Sequence, residues 1–199
     1  MTTNLTPPGG WRGPARARIA PLTGPERGLI SRVVDWGTRV VGKVEPRNIF
    51  LTLQRAPRLF WPWMLFASRL MPWGKLDALD RERIILRVAW LCRSRYEWGQ
   101  HVDVGGRLGL PMAELPWIAE GPACPSWDAG RRALLTAVDE FHDARVLSEE
   151  TWQTLANTYP PDVMLELLML IGHYEMLAGV LNSVGVELEG APSTDGQRA

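Results

Sequence analysis

Apolar residues recur at helical spacing in every long segment between residues 48 and 184, and this periodicity constrains the fold more than any other feature. Between Asp77 and Cys92, apolar side chains stand three and four residues apart, which places them on one face of a helix. The same spacing recurs around Leu134 and again from Val163 to Ile171. No stretch combines strand-like alternation with turn residues. The sequence therefore predicts an all-α fold, a compact helical bundle.

Residues that prefer helix ends predict where these helices begin and stop. Asn48, Asp77 and Ser148 suit N-cap positions, because their short polar side chains accept hydrogen bonds from the first backbone N–H groups. Gly109 suits the end of a helix and Pro161 the start of one. The predicted helices are a short one from Asn48 that stops before Pro57, and others at about 62–70, 77–92, 96–108, 134–141, after Ser148 and from Pro160–Pro161 onward.

The composition bounds the class of protein. The 199 residues carry 22 basic and 22 acidic side chains, so the formal charge is zero. A neutral chain argues against a nucleic-acid partner, which needs a basic face to displace counterions. The length suits one domain with tails. We expect a flexible arm rich in Pro, Gly and Arg at residues 1–27, one helical domain at 28–188 and a flexible tail at 189–199.

The sequence predicts neither a secretory signal nor a membrane span. The first 20 residues contain no apolar core segment. The apolar stretch from Val163 to Leu181 is interrupted by Glu166, His173 and Glu175, so a buried helix explains it better than a span. Two cysteines are too few for a disulfide framework, which suits a reducing, cytoplasmic setting.

Acidic and histidine side chains cluster in the segment from Leu76 to Leu110. Glu97 and His101 lie four residues apart and therefore share a helix face. Glu82, on the preceding helix, reaches the same place if the two helices form a tight hairpin. A histidine beside two carboxylates is suited to proton transfer near neutral pH. A simple surface pair is the structural alternative for Glu97 and His101.

This segment also carries a resemblance to a known family. Residues from about Glu45 to Glu187 resemble the carboxymuconolactone decarboxylase / alkylhydroperoxidase D (AhpD)-like superfamily. The matching residues are Pro46, Asn48, Ile49, Pro57, the block from Glu82 to Ala89, Tyr96, Glu97, His101, Gly109 and the segment from Leu170 to Glu189. The resemblance implies an AhpD-like helical bundle that forms a homo-oligomer, with its pocket near a subunit interface.

Departures from the family pattern favour one branch of the superfamily. Peroxidase members use a glutamate, a Cys-x-x-Cys pair and a histidine. By the resemblance, the glutamate is Glu82 and the histidine is His101. The two cysteine positions hold Ser94 and Glu97. Thiol–disulfide cycling needs a thiolate and a resolving partner, so a classical thiol peroxidase is disfavoured.

A glutamate in place of the second cysteine is similar to the decarboxylase branch. That branch implies loss of CO2 from an unsaturated lactone acid, without a cofactor and without a metal. The resemblance then implies that His101 is the proton shuttle, that Glu97 orients it and sets its tautomer, and that Glu82 is a second acid/base or a structural partner. Fixed hydrogen-bond donors would stabilise the developing oxyanion.

Four further residues are candidate substrate-binding groups. These are Ser94, Tyr96, His173 and Asn182. Structural alternatives stand beside three of them: Tyr96 is equally suited to anchoring the start of its helix, His173 to a satisfied place in the core, and Asn182 to capping backbone groups.

The two cysteines decide between the remaining hypotheses. Cys92 belongs to an apolar helix face, so we expect a buried structural thiol, and we expect Cys124, in a loop flanked by prolines, to be more exposed. The leading hypothesis is a decarboxylase-type enzyme that acts on a small lactone or enol acid. The alternatives are an antioxidant protein that uses Cys92 atypically, and a non-catalytic binding or assembly module with the same fold.

Overall fold

The computed structural model describes residues 5–28 and 47–189, and its regular elements are helices. In this part of the chain the α-helices are, in order, α1 (Asn48–Leu53), α2 (Pro57–Leu70), α3 (Ala78–Leu91), α4 (Arg95–Leu108), α5 (Leu115–Glu120), α6 (Ala129–Ala144), α7 (Glu149–Ala156) and α8 (Pro161–Val184). Short 3-10 helices lie at Gly24–Glu26 and Met112–Glu114, and an isolated β-bridge joins Arg12 to Ser94. The all-α prediction is confirmed for these residues.

Two of the predicted N-caps form as expected. The Asp77 carboxylate accepts hydrogen bonds from the backbone N–H groups of Leu79 (2.9 Å) and Asp80 (3.1 Å) at the start of α3. The Ser148 hydroxyl accepts one from Thr151 N–H (3.2 Å) at the start of α7. These bonds satisfy backbone donors that the helix itself leaves unpaired.

The remaining predicted ends are partly correct. Gly109 ends α4 in the left-handed conformation (φ 97°), as a C-cap glycine should. Arg47 rather than Asn48 occupies the N-cap of α1, and Asn48 is the first helical residue. Pro57 begins α2 instead of only stopping α1, because a proline at the first helical position loses no hydrogen bond. The short helix α5 was not predicted.

Helix α3 lies at the centre of the bundle and packs against α4, α5, α6 and α8. On one side Ile84, Ile85 and Val88 join the main core with α6 and α8. On the other side Leu86 and Ala89 join a second apolar cluster with α5. Because both faces are covered, the charged residues of this helix are buried as well: Arg81, Glu82, Arg83 and Arg87.

The described part of the N-terminal segment lies along the helical body. The ring of Trp11 packs against Trp90 (centroids 5.9 Å apart) and Trp98 (6.1 Å). This contact differs from the expected solvated arm, because an indole gains more from burial against two other indoles than from exposure to water. The residues before Leu5 and after Glu189, which belong to the predicted tails, lie outside the described residues, as does Pro46 of the family pattern.

Helix α8 is long and apolar enough to cross a membrane on length and composition alone. Half of its most apolar window is buried inside the bundle. Leu167, Leu170 and Ile171 are fully buried in the main core. This placement agrees with the prediction of a buried helix.

Candidate active site

Glu82 on α3 and His101 on α4 form a buried pair. His101 Nδ1 lies 2.7 Å from Glu82 Oε2, and the side chains are 7% and 0% exposed. A carboxylate only accepts hydrogen bonds, so the ring donates to it through Nδ1–H. The hydrogen-bond partner of the His101 ring is therefore Glu82 and not Glu97, to which the resemblance assigned this contact. The close packing of α3 against α4 brings Glu82 to this place.

The predicted hairpin of α3 and α4 exists, since the two helices pack against each other. Gly105 lies one turn beyond His101, where a Cβ atom would lie 3.0 Å from Leu110 Cδ2 and 3.8 Å from Glu82 Cβ. The second distance is ordinary van der Waals contact, so a larger residue here would mainly displace the Leu110 side chain.

Glu97 is buried beside this pair without a partner. Glu97 is 2% exposed, and neither of its carboxyl oxygens has a hydrogen-bond partner among the described residues. Burial raises the pKa of Glu97 well above its usual range. The nearby Ser94 hydroxyl opposes this rise only partly, and it makes no hydrogen bond of normal geometry with the carboxyl group. Burial therefore favours the protonated, neutral carboxylic acid, a form that can donate a proton.

Ser94 stands at the N-cap position of α4 and does not cap the helix through its side chain. Its hydroxyl is fully buried and has no hydrogen-bond partner in the described chain. A buried hydroxyl without a partner is costly, so a bound molecule that pairs with it would recover part of that cost. Ser94 thus stays a candidate for substrate binding.

An aromatic row borders the pair on the side of α8. The ring of Tyr174 meets the rings of His101 and His173 edge-on, with centroids 5.1 and 5.2 Å apart. Trp63 and Phe66 of α2 lie against the far side of His173. Burial lowers the pKa of His173 to about 4, so this ring is neutral, and its Nδ1 has no partner within the described residues. His173 therefore lies one ring away from His101, behind Tyr174.

Two predicted substrate-binding residues use their polar groups elsewhere. The Tyr96 hydroxyl accepts a hydrogen bond from Ile49 N–H (3.1 Å) and donates one to Glu189 Oε1 (2.9 Å). Asn182 Nδ2 donates to the backbone carbonyl of Cys92 (3.0 Å). Both contacts match the structural alternatives, an anchor at the helix start and a backbone cap. Glu189, expected in a free tail, is fixed by Tyr96.

Neither cysteine belongs to this site. Cys92 Sγ lies 4.0 Å from His142 Nδ1, on the far end of α3, and burial raises its pKa to about 12. Cys124 is 2% exposed and packs in the second apolar cluster, so the expectation of a more exposed thiol is corrected. The loop around Cys124 is closed by Trp127, whose indole N–H donates to the Gly121 carbonyl (3.1 Å).

Sequence reasoning missed one charged residue of the neighbourhood, Arg81. It is 4% exposed, and its Nε has no hydrogen-bond partner in the described chain. Burial raises the pKa of the Tyr174 phenol, and the charge of Arg81 is near enough to oppose that rise in part. The other buried arginines of α3 pair with acids, Arg83 with Glu114 and Arg87 with Asp139, both at 2.7 Å. The signal was present in the sequence, because Arg81 precedes Ile84 and Ile85 by three and four residues and so lies on their apolar face.

Comparison with solved structures places this arrangement in a known fold. An uncharacterised peroxidase-related protein from Silicibacter sp. TM1040 is 13% identical with a TM-score of 0.76, and the match covers 89% of this chain and 95% of that one. A peroxidase-related protein from Ralstonia eutropha JMP134, described as an alkylhydroperoxidase AhpD core, is 17% identical with a TM-score of 0.74, covering 86% and 93%. A variant of the debrominase Bmp8 in complex with 2,3,4-tribromopyrrole is 16% identical with a TM-score of 0.72, covering 89% and 95%.

The chain therefore has the AhpD-like helical fold over nearly its whole described length. No protein-family model and no curated protein matches the sequence. Because the structural relatives share few residues with this chain, they establish the fold, and the chemistry must be argued from Glu82, Glu97 and His101 themselves.

Proposed function

We propose that this protein is a cofactor-independent acid/base enzyme of the carboxymuconolactone decarboxylase type, acting on a small lactone or enol acid. The observation that carries the proposal is the buried, unpartnered Glu97, whose environment favours the neutral acid. A buried carboxylic acid beside an oriented histidine is suited to giving a proton to carbon. A helical bundle gains no stability from such a group, since an unpaired buried polar side chain costs free energy.

The proposed reaction balances without a cofactor. The bond between the substrate carboxylate and its ring carbon breaks, CO2 leaves, and the bonding pair remains on the substrate as a dienolate. Glu97 donates its proton to the carbon, and His101, with Nε2 free, relays a replacement proton from water. Each turnover therefore consumes one proton and releases one CO2. Glu82 is a positioning residue, because it acts through the His101 ring.

Arg81 supplies a charge that suits the binding of a small acid. Its Nε has no hydrogen-bond partner within residues 5–28 and 47–189, and a guanidinium binds a carboxylate or an enolate oxygen with paired N–H donors. Arg81, Glu97 and His101 are each at most 6% exposed, so the reaction would take place away from bulk water, where fixed donors act more strongly. Substrate binding then requires some movement of the surrounding side chains.

The thiol alternative has less support. Cys92 contacts His142 rather than His101, and a thiol with a pKa of about 12 supplies little thiolate at neutral pH. A non-catalytic module remains the second alternative, and it predicts that substitutions at Glu97 and His101 change stability alone.

We also propose that the enzyme works as a cytoplasmic homo-oligomer. The outer face of α8 exposes Leu165 (60%), Met169 (51%) and Met176 (51%), which stand four and seven residues apart on one stripe. An apolar stripe of this kind is typical of a surface that a second copy covers. Light scattering after size-exclusion chromatography should give a multiple of the 22.3 kDa chain mass, and Leu165→Asp with Met169→Asp should give the single chain.

The proposed reaction is tested by ultraviolet-monitored turnover of γ-carboxymuconolactone by the purified protein. We expect the wild type to consume it and Glu97→Gln to lose activity while keeping the fold. Glu140→Gln is a matched control, because it makes the same change of residue on α6, where Glu140 accepts a hydrogen bond from Ser148 N–H (2.8 Å) and is not one of the site residues. Full turnover by Glu97→Gln would remove Glu97 from the mechanism. Absence of turnover by the wild type would leave acid/base chemistry to be tested on other lactone and enol acids.

A further inference from the structure

A second cluster of chemically able side chains lies at the other end of α3. Cys92, just after the last residue of that helix, meets His142 of α6 and Glu175 of α8. His142 Nδ1 is 4.0 Å from Cys92 Sγ and 2.7 Å from Glu175 Oε1. The sulfur, the nitrogen and the oxygen all lie within 4.8 Å of one another, and all three residues are half-buried. Three helices thus bring a thiol, an imidazole and a carboxylate to one point.

The cluster faces an opening to solvent. Cys92, His142 and Glu175 line a surface cavity of about 190 Å³, together with Arg12, Gly179 and Asn182 among others. A cavity of this size holds several water molecules, since each occupies about 30 Å³ in the liquid. A small ion can therefore reach the three side chains and keep a water molecule as a further ligand.

The donor set is the one that zinc prefers. Thiolate, imidazole and carboxylate are the three common protein ligands of Zn²⁺, with bond lengths of about 2.0–2.3 Å. In a tetrahedral site, those bond lengths put the sulfur and the nitrogen about 3.5 Å apart and the nitrogen and the oxygen about 3.4 Å apart. The sulfur–nitrogen distance must therefore shorten slightly, and the hydrogen-bonded nitrogen–oxygen distance must open slightly. Both changes are within the reach of side-chain rotation.

The surroundings hold one ligand in place and oppose the ion with two cations, Arg12 and Arg145, which both line the cavity. Asn182 Nδ2 donates to the Cys92 carbonyl (3.0 Å) and fixes the backbone that carries the sulfur. Outer contacts of this kind orient metal ligands in known sites. Arg145 binds the second oxygen of Glu175, leaving Oε1 for an ion, and its side chain is 62% exposed. A metal ion would therefore meet a cation that is free to turn into solvent.

We propose that Cys92, His142 and Glu175 bind one divalent transition-metal ion, with Zn²⁺ the preferred one, and that water completes the coordination. The three ligands are residues other than Glu82, Glu97 and His101, and the proposal does not depend on the reaction proposed above. Glu97 is the nearest part of that first site, since its charge adds to burial in raising the pKa of Cys92. It also gives Cys92 a role other than the buried structural thiol expected from the sequence.

The test is a titration of the full-length, chelator-treated and reduced protein with Co²⁺, a spectroscopic substitute for Zn²⁺. We expect one equivalent to bind, with a thiolate-to-cobalt band in the near ultraviolet and the intense visible bands of tetrahedral Co²⁺, and Zn²⁺ to displace it. Cys92→Ser should abolish the ultraviolet band. Cys124→Ser is the matched control, because Cys124 is the other free cysteine and lies outside the cluster, so its spectrum should equal that of the wild type.

Two further variants keep the test decisive if Cys92→Ser does not fold. Glu175→Gln should weaken Co²⁺ binding by at least about 10-fold, the loss that even an outer-contact change causes. Arg145→Asn should tighten binding by about 2- to 5-fold, the value of one exposed ion pair, and asparagine suits the left-handed backbone of position 145 (φ 62°). No cobalt spectrum from the wild type, or an ultraviolet band that depends on Cys124, would overturn the proposal.

Discussion

Two histidine–glutamate pairs in this protein have the same bond and opposite surroundings. His101 and Glu82 are 2.7 Å apart, as are His142 and Glu175. The side chains of the first pair are 7% and 0% exposed, and those of the second are 28% and 11% exposed. The same hydrogen bond therefore does not by itself determine whether a pair is suited to proton transfer or to metal binding. Enclosure keeps solvent away from the first pair, whereas the second pair is open to solvent and to the metal ion proposed above.

The difference arises from the helices that bring each pair together. Glu82 lies within α3, which is covered on both sides and packs against α4. His142 lies near the end of α6, where Arg145 terminates the helix and the surface cavity begins. A residue in the middle of a covered helix is enclosed by its neighbours, and a residue in a last turn is open on one side.

The largest expected effect concerns catalysis by the enclosed pair. His101→Ala should lower kcat for a lactone acid by about 10²- to 10⁴-fold, the contribution typical of a positioned acid/base group. Steady-state turnover measured beside the wild type, with the circular dichroism of both proteins, separates this loss from unfolding. A folded variant with unchanged kcat would end the comparison, because the enclosed pair would then have no proton-transfer role.

Stability should distinguish the pairs next. Glu82→Ala should lower the free energy of unfolding by about 1–3 kcal/mol, because it leaves the buried Nδ1–H of His101 without its acceptor. Glu175→Ala should cost about 1 kcal/mol or less, because water replaces its contacts with the more exposed His142 and Arg145. Urea denaturation of both variants measures the difference. Equal losses would mean that the exposure of the two pairs does not govern their energies.

The smallest expected effect is a pH dependence that sharpens the role of the enclosed site. The pKa of Glu97 in the folded protein lies above its ordinary value of 4.5, so above pH 4.5 the folded state binds more protons than the unfolded state. Stability therefore falls as the pH rises through that range, by up to about 1.4 kcal/mol per pH unit. Glu97→Gln removes this penalty, and its stability relative to the wild type should increase as the pH rises from 4.5 toward the folded-state pKa.

Glu140→Gln provides a control of opposite sign for that measurement. Burial opposes the shift, but hydrogen bonds from Ser148 and Thr151 lower the pKa of Glu140 below its ordinary value. The stability that Glu140 contributes is therefore present above pH 4.5 and lost as the pH falls through its lowered pKa. Thermal unfolding measured relative to the wild type, for Glu97→Gln above pH 4.5 and for Glu140→Gln below pH 4.5, should give slopes of opposite sign. A shared sign would contradict the neutral Glu97.

Much of the fold was predictable because its signals are local. The caps at Asp77 and Ser148 and the stop at Gly109 follow from backbone groups within a few residues, so the sequence alone carries them. Helix α5, six residues long, lies below the length at which periodicity is informative. Trp11 packs on Trp90 and Trp98 across about 80 residues of sequence, and no local pattern encodes such a contact.

The residues of the site were predictable from the sequence, but the hydrogen bonds between them were less so. The spacing of Glu97 and His101 placed both on one face, and the hairpin added Glu82. Which glutamate holds the imidazole depends on the approach of α3 to α4, which a spacing rule does not contain. Cys92 was assigned correctly to an apolar face, but its contacts with His142 and Glu175 come from two helices that are distant in sequence.

One turn of α8 serves several environments in succession. His173 stacks on Trp63, Tyr174 meets His101, Glu175 binds His142, and Met176 is 51% exposed. Successive residues of a helix are rotated by about 100°. Inserting a single residue before His173 would therefore move each following side chain into the environment that the next residue now occupies. The contact of Tyr174 with His101, the hydrogen bond of Glu175 with His142 and the exposed position of Met176 would be lost together. This turn can therefore accept changes of residue identity one at a time, but it cannot accept a change of length.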